Sequence, residues 1–211
     1  TYIDMAEIGA MAPDAAYGRA GEAAARALAI DPDLGAAHVA RGYLRTVREF
    51  DWDGAERSFR RAIELNPSDA DAWDLYGRLC AALDRYDEAV TMLERAQVLD
   101  PLAHRVDVAT ALLRAGRYDE GLRRAAAAVA MDAGQDRARA TLGWALFLTG
   151  RRAEGITELE RAVAGSRQNT LWLGQLGQAY AMGGQVERAR EVLAQMEERA
   201  RQEFVSPYHL A

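Results

Sequence analysis

Between residues 51 and 67 the chain reads Asp51-Trp-Asp-Gly-Ala55-Glu-Arg-Ser-Phe59-Arg-Arg-Ala62-Ile63-Glu-Leu65-Asn66-Pro67. Ala55, Phe59, Ala62 and Ile63 recur at helical spacing on one face, with Arg and Glu opposite. The Asn-Pro pair stops the helix, because a residue before proline is disfavoured in helical geometry. A single helix of this kind cannot bury its apolar face alone, so the question is what repeats around it.

The closing phrase recurs. Arg26-Ala-Leu-Ala-Ile-Asp-Pro32, Arg61-Ala-Ile-Glu-Leu-Asn-Pro67 and Arg95-Ala-Gln-Val-Leu-Asp-Pro101 read alike, and two degenerate copies end at Ala133 and Arg167. Successive copies lie 35, 34, 32 and 34 residues apart. A second series is interleaved: Phe50-Asp-Trp-Asp-Gly-Ala55, Asp84-Arg-Tyr-Asp-Glu-Ala89, Gly116-Arg-Tyr-Asp-Glu-Gly121, Gly150-Arg-Arg-Ala-Glu-Gly155 and Gly184-Gln-Val-Glu-Arg-Ala189. Each marks a tight turn, where a Gly or Asp tolerates a left-handed helix end and an acidic residue is placed to cap the next helix. Every period therefore holds two turns and two helices. No strand run interrupts them.

Composition narrows the chemistry. The 211 residues carry a net charge of −6, and all 26 basic residues are arginine. Without lysine there is no phosphate-binding P-loop lysine and no Schiff base. An acidic chain is a poor non-specific binder of nucleic acid. No stretch approaches the ~20 apolar residues of a membrane span. The lone Cys80 cannot form an internal disulfide, which fits a reducing, cytoplasmic setting. The end, Ser206-Pro207-Tyr208-His209-Leu210-Ala211, announces a further helix start, so the expectation is a fragment of a longer protein.

With these residues in view, the chain resembles the tetratricopeptide repeat family, a helix-turn-helix unit of about 34 residues. Trp73, Tyr76-Gly77, Ala89, Leu93, Ala96 and Pro101 match its pattern, as do Gly42, Ala55, Phe59, Ala62 and Pro67, then Leu142-Gly143, Leu159 and Ala162, and finally Leu176-Gly177, Tyr180, Ala189 and Leu193. The resemblance implies an all-α fold, a right-handed α-α superhelix of tandem repeats. It divides the chain as a single array at about 1–34, 35–69, 70–103, 104–135, 136–169 and 170–205, with the start of a seventh unit. The Asp51–Pro67 run is also similar to arrays attached to bacterial transcription regulators and to cyclase- or kinase-linked signalling proteins. Departures are Gly121 and Gly155 in place of the packing Ala, at about 1 kcal/mol each in helix propensity. Ala133 and Arg167 replace the Pro stop, and the fourth unit is two residues short in its first helix. Such units are expected to be splayed, less stable, or shaped for a partner.

Catalytic and metal chemistry find no constellation. His38, His104 and His209 are far apart and no ligand spacing joins them. Cys80 sits mid-helix and inward, a small hydrophobe with nothing nearby to lower its pKa. Gly174, Gly177, Gly183 and Gly184 follow no strand and lack the dinucleotide fingerprint. Asp71 with Asp74, and Glu158 with Glu160, read as solvated helix charges. No cofactor is expected.

The family resemblance implies that first helices line a concave groove. The second, fifth, ninth and twelfth positions of each unit face it. This selects Tyr43, Arg78, Arg105, Leu112, Arg137, Trp144, Phe147 and Gln178 as partner-binding residues, an apolar-aromatic floor with an arginine row. Trp52, Trp73 and Phe59 are assigned to the core. Two placements stay open for Trp144 and Phe147: anchors in an open groove, or side chains covered by neighbouring helices. Positions 5 and 9 carry neither Lys nor Asn, so the family's clamp for a terminal carboxylate is not expected.

The function expected is a non-catalytic scaffold for a protein or peptide partner with an apolar anchor and acidic residues, the regulatory part of a larger bacterial protein. The alternative is a small-molecule-sensing regulatory domain. Neither direct nucleic-acid contact nor a membrane segment is expected. An apolar end around Leu193, Met196 and Phe204 offers a route to a homodimer.

Overall fold

The computed structural model describes residues 13–101, 106–166 and 169–201. Among them every regular element is helical. The chain is all-α and built of tandem helix-turn-helix repeats, the α-α superhelix class. It divides into two compact units, Thr1–Asp107 and Val108–Ala211.

The first unit holds α1 (Pro13–Ile30), α2 (Gly35–Leu44), α3 (Trp52–Leu65), α4 (Ala70–Ala82) and α5 (Tyr86–Leu99). The second begins with the short α6 (Asp107–Arg114), whose first residue closes unit one. It continues through α7 (Tyr118–Met131), α8 (Asp136–Leu148), α9 (Arg152–Gly165), α10 (Thr170–Met182) and α11 (Val186–Ala200).

The turns inside hairpins share one geometry. Asp84, Gly116, Gly150 and Gly184 adopt positive φ, between 59° and 88°. The next backbone N–H then reaches back five residues: Arg85 to Cys80 O, Arg117 to Leu112 O, Arg151 to Leu146 O and Gln185 to Tyr180 O, at 2.8–2.9 Å. This closure satisfies carbonyls the helix end leaves open. The expected acidic cap occurs at α3, where Asp51 Oδ1 accepts from Gly54 N at 2.9 Å. At the other four hairpin turns the cap position is Arg or Gln with no side-chain cap bond. There the arginine grips the glutamate three residues on: Arg85 with Glu88, Arg117 with Glu120 and Arg151 with Glu154. The glutamates sit in the first turn, where the helix dipole favours negative charge. These hydrogen bonds hold all three carboxyls below the usual range.

Between hairpins, proline proves dispensable. Asp31 and Asn66 accept from the backbone N–H two residues on, at 3.0 and 3.2 Å. Asp132 does the same to Gly134 at 3.0 Å although Ala133 stands where the others have Pro. The Asx turn itself makes the stop, so the missing Pro leaves this junction regular.

Packing within hairpins is set by small residues. A Cβ added to Gly77 would sit 3.2 Å from Ala89 O, and one on Gly155 only 2.5 Å from Gly143 O and 2.8 Å from Phe147 N. Gly155 is thus required by a backbone approach closer than alanine permits, and is no defect. Large residues fill the space beyond: Phe59, Leu93 and Leu159 are buried. In unit two Phe147, Ile156, Leu159, Leu173, Leu176 and Met196 form one core cluster.

The second hairpin differs. Gly77 faces Leu93 and Gly143 faces Leu159, sixteen residues on, whereas Gly42 faces Phe59, seventeen on. The extra residue is absorbed by a π-turn over Arg45–Glu49, which ends at Phe50 with φ 54°. One inserted residue is what a π-bulge accommodates. Phe50 is 65% exposed and meets Trp52 edge-on at 5.7 Å. Trp52 is 38% exposed, so its assignment to the core is corrected. It lies at the first helical position of α3, ahead of the buried stripe. Phe59 is core as expected, and Trp73 is half-buried with its Nε1–H on Pro67 O at 3.0 Å.

A polar clamp joins adjacent hairpins. Glu56 of α3 accepts from Tyr76 Oη at 2.8 Å and from Arg85 at 2.8 and 3.1 Å. Those bonds, Arg85 first, draw its carboxyl down to about 2. Unit two repeats the arrangement: Glu160 accepts from Tyr180 Oη at 2.7 Å and from Arg188 at 2.8 Å.

Candidate functional site

A hollow of about 370 Å³ opens on unit two between the first helices of its three hairpins. From α8 it takes Arg137, Thr141, Trp144 and Leu148, which share one face at spacings of three and four. From α6 it takes Thr110, Leu113 and Arg114, and from α10 Leu171, Trp172 and Gln175.

Trp144 is held on both sides. Its ring packs edge-on against Phe147, with centroids 5.6 Å apart. Its Nε1–H donates to Gln175 Oε1 at 2.9 Å. Indole is a donor only, so the amide must present its oxygen there and turn its NH₂ away. Thr141 Oγ1–H donates to Arg137 O at 3.0 Å, leaving its oxygen to accept. The polar groups of the rim are then chiefly donors: two guanidiniums and an amide. None of the described lining residues is acidic.

The sequence-selected residues scatter. Arg137 and Trp144 line the hollow. Phe147 is 3% exposed and belongs to the core beneath, with the Arg152 guanidinium 5.5 Å from its centroid on the outer side. Phe147 therefore takes the covered placement, while Trp144 is half-buried, packed against that core and lining the hollow. Leu112 is 2% exposed, not a groove residue. The reason is register. Its carbonyl closes the turn as those of Cys80, Leu146 and Tyr180 do, so it occupies their interior position. Thr110 stands two residues earlier, where the other units carry Arg78, Trp144 and Gln178. Tyr43 and Arg78 lie in unit one, Tyr43 edge-on to Tyr17 at 6.2 Å and Arg78 paired with Asp74 at 3.6 Å. Gln178 is exposed on α10 outside the hollow. Arg105 falls outside the described residues, as do His104, His209 and Phe204.

Sequence reasoning missed Leu113, Arg114, Thr141, Leu148, Trp172 and Gln175. Thr141 and Gln175 hold the sixth position of their units, while the expected fifth-position Ala140 is fully buried.

The remaining reactive groups have structural roles. Cys80 is buried, and burial pushes its thiol up to about 11. His38 is buried too, with Nε2 on Pro32 O at 2.8 Å and Nδ1 on Arg41 Nη2 at 2.9 Å. Asp74 is buried beside Arg78, which corrects its reading as a solvated charge. Glu158 is half-buried between Arg139, at 3.0 Å, and Arg161. No group of three His, Cys, Asp or Glu among the described residues is arranged to hold a metal ion. No helix among them is long and apolar enough to cross a membrane. Of the expected apolar end, Met196 is buried in the unit-two core, Leu193 is 42% exposed, and Phe204 lies outside the described residues.

Two family profiles described as tetratricopeptide repeat match residues 47–104 and 112–174. Among solved structures, the chain is similar to PilW, a widely conserved type IV pilus biogenesis factor, with a TM-score of 0.76 at 18% identity over 99% of this chain and 93% of that one. It is similar to TTC0263, a thermophilic tetratricopeptide protein of Thermus thermophilus, with a TM-score of 0.70 at 18% identity over 80% and 93%. YrrB, a protein of this repeat type with an unusual peptide-binding site, gives a TM-score of 0.57 at 21% identity over 82% and 90%. At these identities the likeness is one of fold. No curated protein matches the chain in sequence.

Proposed function

The chain belongs to the tetratricopeptide repeat family, and from that premise we propose that it is a non-catalytic scaffold that docks a peptide or protein partner in the hollow of unit two. Stacked helix pairs of this type leave a continuous surface open beside the core, and the family uses such surfaces for protein interaction. The observation that carries the reading is Trp144. It is a large aromatic at the centre of a concave face, fixed by Phe147 beneath and Gln175 beside it, with Trp172 also lining the hollow. A rigid aromatic in a pocket ringed by arginine is the composition of a binding hot spot. The peptide-binding site of YrrB supports the reading by analogy of fold. We read the chain as the interaction part of a larger bacterial protein.

The test is selection of a displayed random peptide library on the whole chain, followed by counter-screening on Trp144→Leu and Trp172→Leu, each checked by circular dichroism. Binders that lose affinity for both variants support the assignment. Binders indifferent to both place docking elsewhere and refute it.

The volume of the hollow also falls within the range of small-molecule sites, which favours a sensing role as the second reading. A metabolite that raises the melting temperature of the chain but not of Trp144→Leu would select it.

A further inference from the structure

We propose that the hollow of unit two recognises an extended acidic peptide segment in which two carboxylates bracket one large apolar residue. The inference rests on the docking reading above and adds the chemistry of the occupant.

Charge comes first. Arg114 and Arg137 line the hollow together with the Gln175 amide, and no described lining residue is acidic. In a chain of net charge −6, this is a local cationic, donor-bearing surface over an apolar floor. Guanidinium meets carboxylate in a planar, two-pronged geometry. The complementary ligand is therefore anionic at its edges and apolar at its centre.

Geometry then separates the two charges. The turn bond from Arg117 to Leu112 matches that from Arg151 to Leu146, so Arg114 stands level with Leu148. Arg137 lies eleven residues before Leu148 on α8, a displacement of about 16 Å along the helix axis. The arginines enter the hollow from opposite ends, with Trp144 between them. Each is placed to meet its own anion. An extended chain covers that distance in about five residues at ~3.3 Å each. The occupant thus carries acids about five positions apart, with an aromatic or long aliphatic side chain between them over Trp144 and Trp172. Neither end of the peptide needs to be free.

The probe is an acetylated and amidated peptide of Gly and Ser with glutamates five positions apart and one phenylalanine between them. It is compared with its Gln/Gln counterpart and with a helical peptide whose glutamates lie eleven apart. Calorimetry and tryptophan fluorescence on the whole chain read the affinity at low and high salt. The diacid peptide is expected to bind at least about tenfold more tightly than Gln/Gln. Arg114→Glu and Arg137→Glu are each expected to remove about 3- to 10-fold, salt having the same sense. Both arginines are exposed, and an unchanged circular dichroism spectrum and urea midpoint check that the variants keep the fold. Equal affinity of the two peptides, tighter binding of the helical spacing, or no binding at millimolar peptide overturns the proposal. Library peptides that depend on Trp144 but carry no acid pair sink this inference alone. Library peptides indifferent to Trp144 sink the docking reading itself.

Discussion

Replacing Glu56 by glutamine should destabilise unit one in a way that pH exposes. Glu56 is largely buried, with 15% of its side chain exposed, and receives hydrogen bonds from Arg85 and Tyr76. Its carboxyl is drawn from 4.5 down to about 2, with the Arg85 hydrogen bond the largest cause. At ~1.4 kcal/mol per pH unit this is about 3 kcal/mol, reduced by screening at the protein edge to about 2. The folded pKa lies below the unfolded one. The stabilisation is therefore complete above about pH 4.5 and drains away as pH falls toward 2. Glu56→Gln keeps the shape; Arg85 retains Glu88, and Arg60, which also pairs with Glu56, is solvent-exposed and keeps its bond to Tyr76 Oη, so no charge is left buried and unpaired. Urea denaturation from pH 7 to pH 2.5, followed by tryptophan fluorescence, reads both limbs. The variant should lose about 2 kcal/mol at pH 7 and show a shallower acid limb than the parent. A loss under about 0.5 kcal/mol at pH 7, or an acid limb unchanged from the parent, would refute the clamp as a source of stability.

Other expectations follow from the same packing. Gly155→Ala should cost about 2 kcal/mol or more, since its methyl meets backbone, whereas Gly121→Ala should be near neutral because its methyl meets the movable Leu113 side chain; thermal unfolding of the two variants decides. Leu159→Ala should cost about 3 kcal/mol through an unfilled space in the unit-two core, seen as a lower urea midpoint. Phe50→Gly should leave stability unchanged or raise it by up to about 1 kcal/mol, because the left-handed backbone strains phenylalanine and the ring is mostly solvated; a loss above about 1 kcal/mol would show that the contact with Trp52 outweighs the strain. Cys80 should resist alkylation at pH 8 in the folded chain and react on unfolding, as mass spectrometry would record.

Much of the architecture was legible because its determinants are local. Period, hairpins and left-handed turn residues follow from Gly, Asp and Pro punctuation together with the Ala55, Phe59, Ala62 stripe. What escaped depends on neighbours. Leu112 was placed by counting from the repeat start, and the shortened entry to α6 moves that count by two. Trp52 matched a packing position in a linear pattern, but the π-turn swings the hairpin connection and leaves the indole beside Phe50 at the surface. The arginine–glutamate grips at the cap positions need both partners in view, and an acidic residue near a turn reads equally well as a cap. In the candidate site, Arg137 and Trp144 were within reach. Arg114 and Trp172 were not, because they join the hollow only through the way the three first helices pack side by side.

The insertion at Arg45–Glu49 and the shortening ahead of α6 bear on how such proteins diverge. The first leaves the Gly42–Phe59 crossing in place, its slack taken up in the connection, and the second is a two-residue offset between the repeat count and the turn bond at Leu112. A ruler of constant length laid along this chain slips at each of these places, while one zeroed at the glycine crossings does not. Ligand-facing positions in diverged arrays are therefore better numbered outward from the points where two backbones touch.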